Sequence, residues 1–251
     1  RFFDQHWPRI NQEIRFIPSG VLEQFWDCLN PIVYISGLQY TIGKLNALPA
    51  EMVDKSLLDE WNNCVRSLPA LPMTADKKKI LPAEEYGVGR NFENPECYAI
   101  FPFKLYGLER PNMDVALNTF NDRLFKETTC WSQDVIQAPL LGLADQSKEY
   151  LLKKVNALED DIAFPAFWKP GSDYVPDFDN GGAMAMGLQH MLLQNVDNKI
   201  LVLPAFPESW SVDFKLHAFD KTTVRVVSKG AEISSLDIFP VSRKKDIVYK
   251  K

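Results

Sequence analysis

The chain has 251 residues, of which 46% are hydrophobic and 24% are charged, a balance that excludes long disordered or collagen-like segments and predicts a folded protein. Its formal net charge of −5 disfavours a nucleic-acid partner, because proteins that bind phosphate backbones usually carry a surplus of lysine and arginine. No stretch reaches the roughly 18 consecutive apolar residues of a membrane helix, so we predict no membrane partner.

The first part of the chain shows helical periodicity broken at prolines, up to about residue 196. One helix is predicted between Asn30 and Leu48 and a second between Ala50 and Leu68. A third begins after Asn112, which can serve as its cap. This alternation is typical of packed helix pairs joined by loops.

Three further helices are predicted before the pattern changes. Ser132 or Asp134 begins the fourth, the fifth follows Asp145, and the sixth runs from about Ala183 to Gln194. Helices therefore dominate the first 197 residues, which we assign to one helical domain.

The period changes from helix to strand after Asn198. Residues 200–203 form a short apolar run, as a buried strand would, and residues 246–249 can add a last strand. Between them, residues 223–227 and 233–238 flank Gly230, which suits the turn of a hairpin. We therefore predict a mainly α protein with a small antiparallel β-domain at residues 198–251.

The four cysteines lie far apart, without a C-x-x-C pair or a neighbouring histidine: Cys28, Cys64, Cys97 and Cys130. Zinc sites usually need closely spaced cysteine or histidine ligands. We therefore predict buried free thiols, no metal site and no cofactor.

Two loops combine polar and aromatic residues, as loops that carry function on a rigid scaffold often do. The loop at residues 80–102 includes Asn91, Glu93, Asn94, Glu96 and Tyr98. The loop at residues 160–182 includes Phe167, Trp168, Asp177, Asp179 and Asn180.

Several strings in this order resemble glycoside hydrolase family 95, the α-L-fucosidase family. They are DFDNGG at 177–182, MLLQ at 191–194, ILVLPAFP at 200–207 with Trp210, and, upstream, YAIFP at 98–102 and WSQD at 131–134. The strings ENPE at 93–96, WSQD and D-x-D together also resemble glycosidase-like six-hairpin proteins of gut bacteria. Where family 95 has His-x-His, this chain has Asn91-Phe92-Glu93.

The resemblance implies that residues 1–197 are the closing helical hairpins of an α/α-toroid. A complete six-hairpin ring needs about twelve helices of about 11 to 12 residues, and the periodicity predicts six or seven. We therefore expect the remaining N-terminal part of the same protein as a partner. The resemblance also implies a periplasmic or secreted location.

The reaction implied is hydrolysis of a glycosidic bond in an oligosaccharide or polysaccharide, with inversion at the anomeric carbon. Such a reaction needs two carboxyl groups, about 6.5 to 9.5 Å apart. Glu93 or Glu96 would donate the proton, with its pKa raised by burial. Asp177 or Asp179 would be the base, with Asn180 orienting the water.

Each of these assignments has a plainer alternative. Asp179 or Asn180 can simply cap the following helix. Glu93 and Glu96 can be solvated or paired with Arg90 or Lys104.

The predicted substrate-binding residues are Asn91, Asn94, Trp131, Gln133, Asp134, Trp168 and Asn180. Trp131 and Trp168 can stack on a sugar ring or belong to the core. Gln133 and Asp134 can bind hydroxyl groups or open a helix.

Two other functions are compatible with these residues. A polysaccharide lyase would use a Tyr, His or Lys base at an acidic sugar. A toroid that has lost its catalytic pair would bind carbohydrate without cleaving it.

Overall fold

The computed structural model describes residues 2–128, 131–156, 178–230 and 232–249. The chain divides into two compact units, Arg1–Phe125 and Lys126–Lys251.

The first unit begins with short elements, most of them strands. They are α1 (Phe2–Gln5), β1 (Arg9–Ile10), β2 (Glu13–Ile14), β3 (Ser19–Val21), β4 (Phe25–Pro31) and, later in the chain, β5 (Ala83–Glu85). β1 pairs with β2, and β4 is the central strand of an antiparallel sheet with β3 and β5. Aromatic Phe25 and Trp26 favour the extended conformation of β4.

The helices of the first unit lie close to their predicted positions. They are α2 (Ile32–Asn46), α3 (Lys55–Arg66) and α4 (Met113–Asp122), with short 3₁₀ helices at Ala50–Met52 and Pro95–Ala99. α3 begins where the Asp54 carboxylate accepts a hydrogen bond from the Ser56 backbone N–H at 2.8 Å. The three helices predicted in this part of the sequence are confirmed.

Phe16 is a buried aromatic of the first unit and is 0% exposed. Its ring lies edge-on to Trp7 and Tyr34, with centroids 5.2 and 5.7 Å away. Its backbone N–H donates to buried Asn30 Oδ1 at 3.0 Å, and Asn30 Nδ2 donates to Glu84 Oε2 at 2.6 Å. Asn30 thus ties the core to β5, and the loop after β5 carries Asn91, Glu93, Asn94 and Glu96.

In the second unit, three helices pack on one another: α5 (Asp134–Leu140), α6 (Ala144–Asn156) and α7 (Asp179–Leu192). α5 and α7 approach most closely at Gly187, where an added Cβ would lie 2.5 Å from the Val135 carbonyl oxygen. Glycine at this position lets the two backbones come together.

We expect Gly187→Ala to be less stable than Gly182→Ala by about 1–3 kcal/mol in free energy of unfolding. Both residues lie in α7, so both variants gain the helix propensity of alanine. A Cβ at Gly182 meets nothing within 4 Å, so the difference reports only the clash with Val135. Urea denaturation measures it, and equal stabilities would contradict the close approach.

Two three-stranded sheets complete the second unit. Their strands are β6 (Leu193–Val196), β7 (Lys199–Val202), β8 (Val212–Ala218), β9 (Thr222–Lys229), β10 (Glu232–Phe239) and β11 (Ile247–Tyr249), with a 3₁₀ helix at Val241–Asp246. The orders are β10-β9-β8 and β11-β7-β6. Buried Ile200, Val224 and Val226 join their faces in one core. The predicted hairpin is β9–β10, with Gly230 at φ +63°.

The predicted fold class is wrong. An α/α-toroid would show consecutive antiparallel helical hairpins, whereas the described part of the first unit has four strands between α1 and α2 and contains a β3-β4-β5 sheet. The predicted antiparallel β-domain is also wrong in detail, because β11 runs parallel to β7. The domain boundary at residues 197/198 stays a prediction.

Candidate functional site

The loop that carries Asn91, Glu93, Asn94 and Glu96 is anchored by Gln24, which is 1% exposed. Gln24 Oε1 accepts a hydrogen bond from the Asn91 backbone N–H at 2.6 Å, and its backbone carbonyl accepts one from Arg90 N–H at 2.9 Å. A Cβ at Gly89 would lie 2.7 Å from Gln24 Nε2. The loop is therefore held against the turn between β3 and β4.

Asn94 fixes the next part of the loop. Its Nδ2 donates to the Phe125 carbonyl at 2.8 Å, and its Oδ1 accepts from the Phe125 backbone N–H at 3.0 Å. The 3₁₀ helix Pro95–Ala99 begins at the next residue and presents Glu96. Asn94 thus positions the glutamate by holding the loop to the segment after α4.

A cleft of about 200 Å³ opens beside this loop within the first unit. Its lining residues are Gln24, Phe25, Thr74, Lys79, Ile80, Leu81, Pro82, Tyr86, Glu93, Glu96, Thr119, Asp122 and Leu124. Three of them carry carboxyl groups and one carries an ammonium group. The two glutamates predicted as proton donors therefore share a cleft.

The pKa of Glu96 is raised to about 7, and burial is the largest cause of this shift. The Glu96 backbone N–H and the Arg123 guanidinium oppose the increase in pKa, and the negative charge of Asp122 adds to it. Near neutral pH a substantial fraction of Glu96 is therefore protonated. A carboxyl group in this condition can donate a proton and take one back.

The pKa of Glu93 is also raised, mainly by burial. The backbone N–H of Glu23 lowers it and the charge of Glu23 raises it. Among the described residues, Glu93 Oε2 is buried without a hydrogen-bond partner. Arg90 does not pair with a loop glutamate in the part of the chain that the structure describes. Its guanidinium lies 4.4 Å from the centre of the Trp26 ring.

Asp122 brings a third carboxyl group to the cleft, and Lys79 holds it in place. Lys79 Nζ lies 2.6 Å from Asp122 Oδ2. This hydrogen bond and the charge of Asp122 raise the pKa of Lys79. The pair is solvent-accessible, with side chains 37% and 66% exposed, so it can meet a ligand at the mouth of the cleft.

No protein-family model and no curated protein matches the chain. The resemblance to glycoside hydrolase family 95 therefore stays a prediction.

The candidates of the second unit lie around the start of α7. Asp179 is the exposed first residue of the helix, and Asn180 is 0% exposed with Oδ1 accepting from buried Lys154 Nζ at 3.4 Å. Phe178 occupies the cap position, without a side-chain capping bond. The alternative that Asp179 or Asn180 caps a helix beginning at Ala183 is therefore wrong. Asp177 lies outside the described residues.

The remaining predicted residues of the second unit surround the start of α5. Gln133 occupies the cap position without a side-chain capping bond, and its Oε1 accepts from Gln137 Nε2 at 3.4 Å. Asp134 is the first residue of α5 and is 2% exposed, and Trp131 is half-buried. Trp168 lies outside the described residues. The binding roles of these residues stay predictions.

Sequence reasoning missed Asp122 and Lys79. The signal was local: Asp122 ends α4, where a carboxylate opposes the partial negative charge of the helix C-terminus. A cation close to the carboxylate offsets this repulsion, and here the cation is the Lys79 ammonium group. Asn91, predicted to bind substrate, donates from Nδ2 to Glu23 Oε2 at 3.2 Å.

Three of the four cysteines lie in the part of the chain that the structure describes. Cys28 and Cys64 are buried free thiols, as predicted, Cys97 is buried, and Cys130 lies outside the described part. Among the described residues, no group of three or more His, Cys, Asp or Glu side chains is arranged to hold a metal ion. None of the helices described is both long enough and apolar enough to cross a membrane.

Proposed function

We propose that the protein is a glycoside hydrolase in which Glu96 donates a proton to the leaving oxygen. The observation that carries this proposal is the Glu96 carboxyl, which lines a cleft with its pKa raised to about 7. Enzymes that cleave glycosidic bonds near neutral pH need a carboxylic acid that stays protonated there. The resemblance to family 95 favours the same reaction.

The second carboxyl group of the reaction has a candidate in the same cleft. Asp122 is close enough to Glu96 for its charge to raise the pKa of Glu96, and Lys79 orients it. In the reaction, water attacks the anomeric carbon and gives a proton to Asp122, while Glu96 protonates the departing oxygen as its bond to carbon breaks. The sequence-based candidates for the base are Asp177 and Asp179.

We expect Asp122→Asn to lower kcat by about 10²-fold or more, because an amide cannot accept the proton of the attacking water. Asp179→Asn should leave kcat within about threefold of the wild-type value if the base is Asp122. Initial rates of reducing-end release measure both. The opposite ranking would assign the base to the second unit and contradict the role of Asp122.

The proposed activity itself is tested by incubating the full chain with a panel of neutral, amino and acidic oligosaccharides. Hydrolysis produces a new reducing end, and NMR of the first product formed gives its anomeric configuration. An unsaturated uronide, seen by its ultraviolet absorbance, would replace the proposal with a lyase. Binding without cleavage across the panel would indicate a carbohydrate-binding protein.

A further inference from the structure

The Oε2 atom of Glu93 is a polar atom of the cleft that the proposed reaction does not use. It is buried and, within the described part of the chain, has no hydrogen-bond partner. The backbone N–H and the side-chain charge of Glu23 both act on this carboxyl. Buried polar atoms are nearly always hydrogen-bonded, so this acceptor in a cleft is a place where a donor from water or from a ligand can bind.

Carboxyl groups outnumber the ammonium group in the lining of the cleft. Glu93, Glu96 and Asp122 contribute carboxyl groups, and Lys79, which also lines the cleft, is bound to Asp122 at 2.6 Å. Among the described residues, neither lysine nor arginine forms an ion pair with Glu93. Such a lining repels carboxylate and phosphate groups and attracts a positive charge.

We propose that the cleft binds a sugar residue with a free ammonium group, which donates a hydrogen bond to Glu93 Oε2. An ammonium group has three N–H donors, no acceptor and a positive charge, so it matches a buried acceptor among carboxyl groups. The substrate class is then a glycan that contains 2-amino-2-deoxy sugars. This inference rests on the proposed function and names its substrate.

The size and the apolar part of the cleft fit a single sugar unit. Its volume of about 200 Å³ is below the roughly 300–1,000 Å³ of pockets for drug-sized ligands. Tyr86 lines it, and the Tyr86 ring is held edge-on to Phe25 with centroids 5.0 Å apart. An aromatic side chain fixed in this way can pack against the C–H face of a sugar ring.

The test compares two sugars that differ in the amino group. The full chain carrying Glu96→Gln, which prevents turnover, is titrated calorimetrically at pH 6 with the tetrasaccharide of glucosamine and with its fully N-acetylated form. We expect the amine form to bind at least about tenfold more tightly, which is about 1.4 kcal/mol. Adding Glu93→Gln should remove this preference.

The control variant is Glu85→Gln, which makes the same charge change at an exposed carboxyl in β5. It should keep the preference, which separates a specific contact from the general attraction between a protein of net charge −5 and a cationic sugar. Equal or tighter binding of the N-acetylated tetrasaccharide, or of tetragalacturonate, would overturn the proposal, as would a preference that survives Glu93→Gln. If Glu93→Gln does not fold, equal or tighter binding of the N-acetylated tetrasaccharide by the Glu96→Gln chain still overturns the proposal.

The test of the amino-sugar site and the test of the hydrolase can fail independently. A preference for the amine form in a chain that cleaves no glycan would remove the hydrolase and leave the binding site. Cleavage that depends on Glu96, without any preference for the amine form, would do the reverse.

Discussion

Replacing Glu96 by glutamine is expected to lower kcat for a natural glycan by about 10²- to 10⁴-fold, the usual contribution of a general acid. Glutamine has nearly the same size and fits the same cleft, but it has no carboxylic proton to give to the leaving oxygen. The pH profile should change as well. The wild-type rate should fall as the pH rises through about 7, where Glu96 loses its proton, and the residual rate of the variant should not.

A substrate with a strongly acidic phenol as leaving group separates this role from a structural one. Such a phenolate departs without protonation, so Glu96→Gln should cleave the aryl glycoside almost as fast as the wild type does. Glu85→Gln, at an exposed carboxyl of the strand before the loop, should keep full activity on both substrates. Equal losses on both substrates, or a pH limb that persists in Glu96→Gln, would refute the assignment.

The helices were predictable because their sequences carry a clear period. Apolar residues at helical spacing placed α2 within about two residues of its observed ends, Ile32 and Asn46. The start of α7 was missed by four residues, since it begins at Asp179 and not at Ala183. Gly181 and Gly182 at the start of this helix are weak helix formers, so the sequence does not mark the first turn, and the helix packs against α5 and α6.

The strands of the first unit escaped prediction for the opposite reason. β1 and β2 have two residues each, and β3 has three, too few to display the alternation by which strands are recognised. In β4, Cys28, Leu29 and Asn30 are buried in succession, which breaks the alternation. The resemblance then favoured helical hairpins, and the local sequence offered no signal strong enough to oppose it.

The site was predictable in part. The string at residues 93–96 supplied Glu93 and Glu96 as alternative proton donors, and both line the same cleft. Asp122 and Lys79 were not predictable as a pair, because 43 residues separate them and only the packing of α4 brings them together. Long-range contacts of this kind leave no periodic signal in a single sequence.

The same carboxyl that is proposed to do the chemistry should make the fold sensitive to pH. The pKa of Glu96 is about 7 in the folded protein against an ordinary value of 4.5. Between these two pH values the folded chain binds this proton more tightly than the unfolded chain does, so the free energy of unfolding falls as the pH rises. Below pH 4.5 both states are protonated, and above 7 both are ionised, so the contribution is constant outside this window.

We therefore expect Glu96→Gln to be more stable than the wild type at pH 8 by up to about 3 kcal/mol, relative to their difference at pH 4.5. Urea denaturation at both pH values measures this, and Glu85→Gln should follow the wild type. A raised pKa at this position would be contradicted if the free energies of unfolding of Glu96→Gln and the wild type differed by the same amount at both pH values. With a raised pKa, Glu96→Gln would lose turnover and gain stability at pH 8. The ionised Glu96 carboxyl would therefore destabilise the fold. A group that costs stability but is needed for turnover has a functional role and not a structural one.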